Sequence, residues 1–321
     1  MSIDVIMLEE ATLRARIKIS REAMTVIEAA FAALGRGGVV MPPVLHLDLP
    51  ERNAEMDVKT AYVPGLPSMA LKVSTGFFDN PGRGLPSLSG MMALISAEIG
   101  RVEAVLLDNG YLTDVRTALA GAVAADRLAR ADARVAGIVG TGLQARLQLE
   151  ALCLVRPIGR ALVWGRDPAK AETAAREMRV RLGLPVEAAA SAERVVREAD
   201  IVVTTTAARE PLVVADWLHP GLHVTAMGSD APGKQELDPA VLGRADRVVV
   251  DRRGQAERLG ELRSALAAGT VGPNRPVDEL GEVVAGTKPG RRSADEITVC
   301  DLTGTGVQDT AIAIHALRVA G

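Results

Sequence analysis

Apolar positions recur at helical spacing through residues 25–33, TVIEAAFAA, and Gly35, Gly37 and Gly38 end that pattern. Residues 1–34 therefore predict a short strand followed by amphipathic helices. Between 39 and 108 the texture changes. Segments 39–49, 60–63, 69–74, 90–96 and 101–108 alternate or run apolar between proline and glycine turns, which predicts an antiparallel sheet region. Asp108-Asn109-Gly110 is a strong turn signal. The alanine-rich stretch 113–129 then reads as a long helix that Thr113 can cap.

From residue 134 the pattern becomes strand, helix, strand, helix. RVAGIVG (134–140) reads as a buried strand and RALVWG (160–165) as a second, each followed by a helix. PVEAAA, DIVVTTT (200–206), LHVTAMG (222–228), DRVVVD (246–251) and EITVCDL (296–302) continue the series. Short strands separated by helices predict an α/β fold with a doubly wound parallel sheet of the Rossmann kind. Residues 306–319 predict a helix that leaves this sheet and packs back on the first domain. The expected division is 1–118 with 305–321 as an α+β domain, and 119–304 as the Rossmann domain.

Bulk numbers narrow the function classes. A chain of 321 residues suits two domains, and 48% hydrophobic with 24% charged residues is globular. A net charge of −3 gives no basic footprint for nucleic acid, and 2% aromatics argues against base stacking. Cys153 and Cys300 stand alone, which disfavours a disulfide framework or a structural zinc site. Of the histidines only His219 and His223 are close, across a Pro-Gly turn, so no metal is expected. No run of 18 uncharged apolar residues occurs, and the N-terminus carries acids among its apolar residues. The expectation is a cytoplasmic protein without a membrane span.

The first parallel strand runs into Gly140-Thr141-Gly142-Leu143-Gln144-Ala145, a G-x-G-x-x-A loop. Gly140 permits the tight turn and Gly142 lets the backbone approach a pyrophosphate. Small Ala145 lets helix and strand pack closely, and the helix N-terminus faces the negative charge. Placed between strand and helix at the head of a βαβ series, the loop predicts a dinucleotide site. The second strand ends Trp164-Gly165-Arg166-Asp167-Pro168. An NAD-selective chain often carries an acid there for the ribose hydroxyls. Gly165 removes that repulsion and Arg166 suits a 2′-phosphate, so NADP(H) is favoured over NAD(H). Asp167 leaves the question open, because it can equally cap the helix that starts at Pro168. Thr204, Thr205 and Thr206, at the C-terminal edge of the fourth strand, are placed to meet the cofactor.

Four further polar groups stand out: Lys59, Lys72, Arg116 and Asp230. Lys59 and Lys72 sit among apolar and turn-forming residues in segments that read as half-buried strands. A desolvated lysine can lose proton affinity until it serves as acid or base near neutrality. An arginine holds a carboxylate through two parallel hydrogen bonds. A carboxylate after a parallel strand can exchange protons or stabilise a cation. Together with a hydride donor, these groups describe an oxidoreductase of amino or imino acids. Structural readings stand beside each: Arg116 in an ion pair with Asp108 or Asp114, Asp230 as a turn former, Lys59 as a guard on an edge strand.

The order of ALKV (70–73), LTDVRTA (112–118), GTGLQA (140–145) and GSDAPGKQEL (228–237) resembles the ornithine cyclodeaminase/mu-crystallin family over about residues 20–315. DVKTAY, KVSTGFFDN, LPSLSG and LLDNGYLTDVRT are similar to its ectoine-utilisation-associated branch. The resemblance implies a homodimer whose N-terminal domain supplies substrate groups and the subunit interface, while the Rossmann domain holds NAD(P). It implies that Lys72 is the substrate-site lysine and Asp230 the active-site aspartate. Arg116 and Thr117 match the pair at the substrate carboxylate and cofactor phosphate. Val224, Gly306 and Val307 fall where the family lines the nicotinamide pocket, and Gly228 is a further cofactor-binding candidate. The chain departs from the family after Pro42-Pro43: the expected substrate-binding arginine is absent, Leu45 and His46 follow, and Lys59 appears nearby. Lys59 is the expected replacement contact for the substrate carboxylate, with His46 beside it as a substrate-binding candidate. The reading is therefore an NAD(P)-dependent enzyme acting at the C–N bond of a small amino or imino acid, as imine reductase, dehydrogenase or cyclodeaminase. The alternative is a non-catalytic NADP(H)-dependent binding protein of the mu-crystallin type.

Overall fold

The computed structural model describes residues 4–321. They form two compact units: the described residues up to Thr117 with Thr305–Gly321, and Ala118–Gly304.

The first unit holds β1 (Ile6–Glu9), α1 (Glu10–Arg16), α2 (Arg21–Arg36), β2 (Leu45–Leu49), β3 (Ala54–Ala61), β4 (Ser68–Phe77), β5 (Leu88–Ser96) and β6 (Val102–Leu107). The start of α3 (Tyr111–Leu128) and a C-terminal helix, Gly306–Ala320, complete it. Six strands pair in the order β1-β6-β5-β4-β3-β2, antiparallel except where β1 meets β6. Alternation sorts the side chains. Ala70, Lys72, Met92, Leu94, Ala104 and Leu106 point to the face packed by helices and are buried. On the opposite face Leu45, Leu47, Leu71 and Leu107 are exposed, and the register sets Leu45 and Leu47 opposite Val58 and Met56.

Two sequence expectations shift here. The strand carrying Lys59 begins at Ala54 and ends at Ala61, where apolar runs suggested 60–63. Its Glu and Asp positions broke the apolar pattern yet pair fully with β2 and β4. The long helix starts at Tyr111, two residues before Thr113, because the Asp108 carboxylate accepts the Leu112 N–H at 2.8 Å and Tyr111 N–H bonds Asp108 O at 3.0 Å.

The C-terminal helix packs against α2, β3 and β4. Its entry is tight: a Cβ on Gly306 would lie 2.5 Å from Thr60 O, so only glycine lets the helix approach β3 this closely. Thr310 Oγ1 donates to Ala61 O (3.1 Å) and accepts from Ala70 N–H (3.2 Å), fixing the helix rotation. Val307 joins Ala30, Leu34, Ala61, Val63 and Ala311 in an apolar cluster beneath it.

The second unit contains β7 (Val135–Val139), α4 (Leu143–Val155), β8 (Arg160–Trp164), α5 (Pro168–Leu182), β9 (Val186–Ala188), α6 (Ala192–Glu198), β10 (Ile201–Thr204), β11 (His223–Ala226), β12 (Arg247–Val250), β13 (Asp278–Glu279) and β14 (Thr298–Asp301). All pair parallel in the order β13-β12-β14-β11-β10-β7-β8-β9. This is the doubly wound sheet expected from the strand–helix alternation, with its order reversing at β7, where the glycine loop leaves. The two-residue β13 carried no apolar run and is the one strand of this sheet without a sequence signal. No helix of the described residues is long and apolar enough to cross a membrane.

Candidate active site

The first unit brings Lys72, Arg116 and Lys59 together. Lys72 takes an inward position on β4, and the register sets Lys59 on β3 directly opposite it. Two like charges opposed across strands repel, so the pair needs a counter-charge. It comes from Asp309, in the first turn of the C-terminal helix. Asp309 Oδ2 lies 2.9 Å from Lys72 Nζ, and Oδ1 lies 2.9 Å from Arg116 Nε. The three side chains are 1%, 2% and 7% exposed respectively. Both contacts are buried ion pairs. Arg116 Nη1 also donates to Gln308 Oε1 at 3.2 Å, and Gln308 Nε2 donates to Thr305 Oγ1 at 3.0 Å.

Burial is the largest influence on Lys72 and outweighs the attraction of Asp309. With repulsion from Arg116 and Lys59 added, it brings the ammonium down to about 7. Burial opposes the charge on Asp309 as well, but Arg116, Lys72 and Lys59 together hold its carboxyl below the ordinary value. The helix N-terminus favours the anion too. Asp108 is pushed up to about 6 by burial, against the backbone N–H groups it accepts. The site thus holds a lysine poised to gain or lose a proton near neutrality beside a fixed guanidinium.

Thr117 follows Arg116 on α3 and is partly buried. His46 lies opposite Asp57 on the face that carries the lysines, and its Nδ1 sits 2.8 Å from Asp57 Oδ1. Gly306 and Val307 serve the helix seat and the apolar cluster described above.

The second unit forms a cleft of about 550 Å³ lined by Gly140, Gly142, Gly165, Arg166, Lys170, Thr205 and Thr206 among others. Gly140 has φ +136°, and a Cβ there would lie 2.3 Å from Thr205 Oγ1. Gly142 is the N-cap of α4 with no side-chain cap, and nothing lies within 4 Å of where its Cβ would be. The first-turn N–H groups of α4, from Leu143 and Gln144 onward, therefore face an open approach, while Ala145 packs wholly buried beneath them. Arg146 Nη1 clamps the loop by donating to Thr141 O (2.7 Å) and Gly142 O (2.9 Å). An open cradle of backbone donors at a helix N-terminus fits a dinucleotide pyrophosphate.

At the end of β8, Gly165 has no room for a side chain: a Cβ would meet Thr141 Cγ2 at 2.6 Å. Asp167 Oδ1 accepts from Ala169 N–H (2.9 Å) and Lys170 N–H (3.3 Å), capping α5. The carboxylate is committed to the helix, and Arg166 and Lys170 are the cations of the cleft wall.

Thr204 and Val224 lie in the sheet core, both fully buried. Thr204 Oγ1 donates to Glu236 Oε2 at 2.6 Å, and Glu236 also accepts from Thr206 N–H (2.5 Å) and Gly228 N–H (2.7 Å). Glu236 so ties the ends of β10 and β11 through one buried carboxylate. Asp230 stands on the loop after β11, half exposed, with Lys234 Nζ 2.8 Å away.

Sequence reasoning missed Asp309, Gln308 and Glu236. The available signal was Gln308-Asp309-Thr310, three polar residues in succession inside an otherwise apolar helix.

A model of the ornithine cyclodeaminase/mu-crystallin family matches residues 4–317. The chain is 54% identical over 312 residues to an uncharacterized cyclodeaminase of Sinorhizobium fredii, covering 97% of this chain and 94% of that protein. Among solved structures, Δ1-pyrroline-2-carboxylate reductase of Thermococcus litoralis, in complex with NADH and L-proline, superposes with TM-score 0.93 at 31% identity, covering 98% and 97% of the two chains. An archaeal alanine dehydrogenase dimer with bound NAD superposes with TM-score 0.90 at 35% identity, covering 98% and 96%.

Proposed function

The chain belongs to the ornithine cyclodeaminase/mu-crystallin family, and from that premise we propose that it is an NAD(P)-dependent oxidoreductase acting at the C–N bond of a small amino or imino acid. The observation that carries the proposal is the buried Lys72–Asp309–Arg116 cluster. Burying two cations against one carboxylate is costly unless a further anion completes the balance, and a substrate carboxylate is such an anion. Relatives that reduce a cyclic imine or act on alanine support the same class.

A nicotinamide held by the glycine-loop cradle would supply or accept the hydride. Arg116 binds the substrate carboxylate, with Lys59 adding a second positive charge from the neighbouring strand. Lys72, near 7, gives a proton to the imine or amine nitrogen, or takes one, with little energetic bias at neutral pH. Asp230, in the second unit, is the proposed second proton-transfer group. The missing family arginine and the altered placement of positive charge favour the reductase or dehydrogenase direction over ornithine cyclodeamination.

NADP(H) is the proposed cofactor preference. Arg166 and Lys170 offer two cations to a 2′-phosphate, and packing against Thr141 keeps position 165 free of an acid. The proposed assembly is a homodimer through the exposed apolar sheet face of Leu45, Leu47 and Leu71; sedimentation of the purified protein tests it. An ectoine-utilisation role remains part of the proposal, supported by the wording of the four segments quoted above and checked by the neighbouring genes.

The deciding experiment is a panel of ketimines and amino acids assayed in both directions with NADPH, NADH and their oxidised forms. Steady cofactor consumption with a small imino acid is expected. No turnover anywhere on the panel overturns the enzyme reading in favour of an NADP(H)-dependent binding protein.

A further inference from the structure

We infer that Asp309 is the positioning residue of this cation site: its two carboxylate oxygens fix where the Lys72 ammonium and the Arg116 guanidinium stand, so that both present their remaining N–H groups to one substrate anion. The inference rests on the proposed reaction for its substrate and on the geometry alone for its mechanism.

Three features carry it. First, each oxygen of one carboxylate serves a different cation, at 2.9 Å in both cases, and the cations come from different elements, β4 and α3. Second, Asp309 is itself held. Gln308 before it receives Arg116 Nη1, Thr310 after it bonds Ala61 and Ala70, and Gly306 presses the helix onto Thr60. A backbone fixed from three sides gives the carboxylate one position, and through it the two cations one spacing. Third, both ion pairs are almost wholly shielded from solvent, so the one carboxylate acts on the two cations with little screening. A purely structural role fits poorly with such burial, because apolar residues of similar volume fill a core at least as stably as a buried ion pair.

The test uses the full-length enzyme with a substrate from the panel and two variants, D309N and D309E. D309N removes the main attraction that offsets burial and the repulsion from Arg116 and Lys59, so Lys72 gives up its proton more readily. The pKa on the alkaline limb of kcat/KM is expected to move down by about one unit or more, with kcat/KM falling on the order of 100-fold. D309E restores the charge and returns the pH profile toward wild type, even if its longer arm leaves the rate low. NADPH affinity, measured by fluorescence, stays unchanged in both. A wild-type pH profile in D309N, or a D309E profile matching that of D309N, overturns the inference. Should D309N not fold, the D309E profile decides alone: an alkaline limb moved down by about one unit or more would overturn it. Should the wild type turn over no substrate, the proposed reaction fails separately, and Asp309 is then read from the Lys72 titration by NMR of 13Cε-labelled lysine. The same downward displacement in D309N is expected there, and its absence overturns the inference.

Discussion

Replacing Lys59 by methionine removes one of two ammonium groups set opposite each other on β3 and β4. Methionine keeps the length and apolar stem, so packing changes little. Opposed Cβ atoms lie about 5 Å apart across antiparallel strands, which puts the two ammonium groups on the order of 7 Å apart. At an effective dielectric of about 20, their repulsion is roughly 2.4 kcal/mol. Lys59 is only partly buried, and solvent screening reduces this to about 1 kcal/mol. That corresponds to roughly 0.7 pH unit. The sign is upward: with a repelling charge removed, Lys72 holds its proton to a higher pH than its value of about 7. The assay is kcat/KM against pH from 5.5 to 9.5 with the best imino acid of the panel. K59M is expected to move the alkaline limb up by about half to one unit and to raise KM by roughly 10-fold through loss of a charge-assisted contact. An unmoved or downward-shifted limb would refute the electrostatic reasoning, and an unchanged KM would remove Lys59 from the substrate site.

Three further outcomes are expected. G140A forces a Cβ to 2.3 Å from Thr205 Oγ1 on a backbone at φ +136°; urea unfolding should show a loss of about 2–4 kcal/mol and calorimetry a cofactor affinity at least 10-fold weaker. R166A should weaken NADPH binding by roughly 10- to 100-fold and NADH binding by less than about 3-fold, and equal losses would undo the 2′-phosphate assignment. Glu261 is raised to about 8 by burial, with Asp301 and Glu236 adding repulsion. Its folded form therefore keeps a proton that the unfolded chain releases, and the stability it contributes is complete below the ordinary glutamate range and lost as pH rises toward 8. E261Q should flatten the decline in unfolding free energy between about pH 5 and 8 relative to wild type.

What the sequence revealed follows the range of the interactions. The glycine loop was legible because its chemistry is local: turn, helix start and phosphate cradle lie within six consecutive residues. The parallel sheet was legible because each buried strand is a short apolar run. Lys72 was legible as a misfit, a charge among apolar and turn-forming residues, and Arg116 as a cation near a helix start, where the dipole does not favour it. Asp309 was not, because its meaning depends on partners far away in the chain and on the rotation of a helix that Thr310 and Gly306 fix. Thr204 shows the same limit in reverse. A hydroxyl at the end of a parallel strand suggests a ligand, yet Glu236 takes that hydroxyl into the core. The start of α3 was misplaced because a carboxylate in a turn can cap a helix as well as end a strand.

The position of Asp309 in the gene order sets a sequence of events during synthesis. The strands with Lys59 and Lys72 leave the ribosome early, and Arg116 soon after. Their counter-ion is translated only after the whole of the second unit. Throughout that interval the nascent first unit lacks the carboxylate that bridges Lys72 and Arg116, while the contiguous second unit is free to complete its own core. Closure of the first unit then waits on one late helix, and a polypeptide that terminates before that helix has no means of assembling the cation site at all.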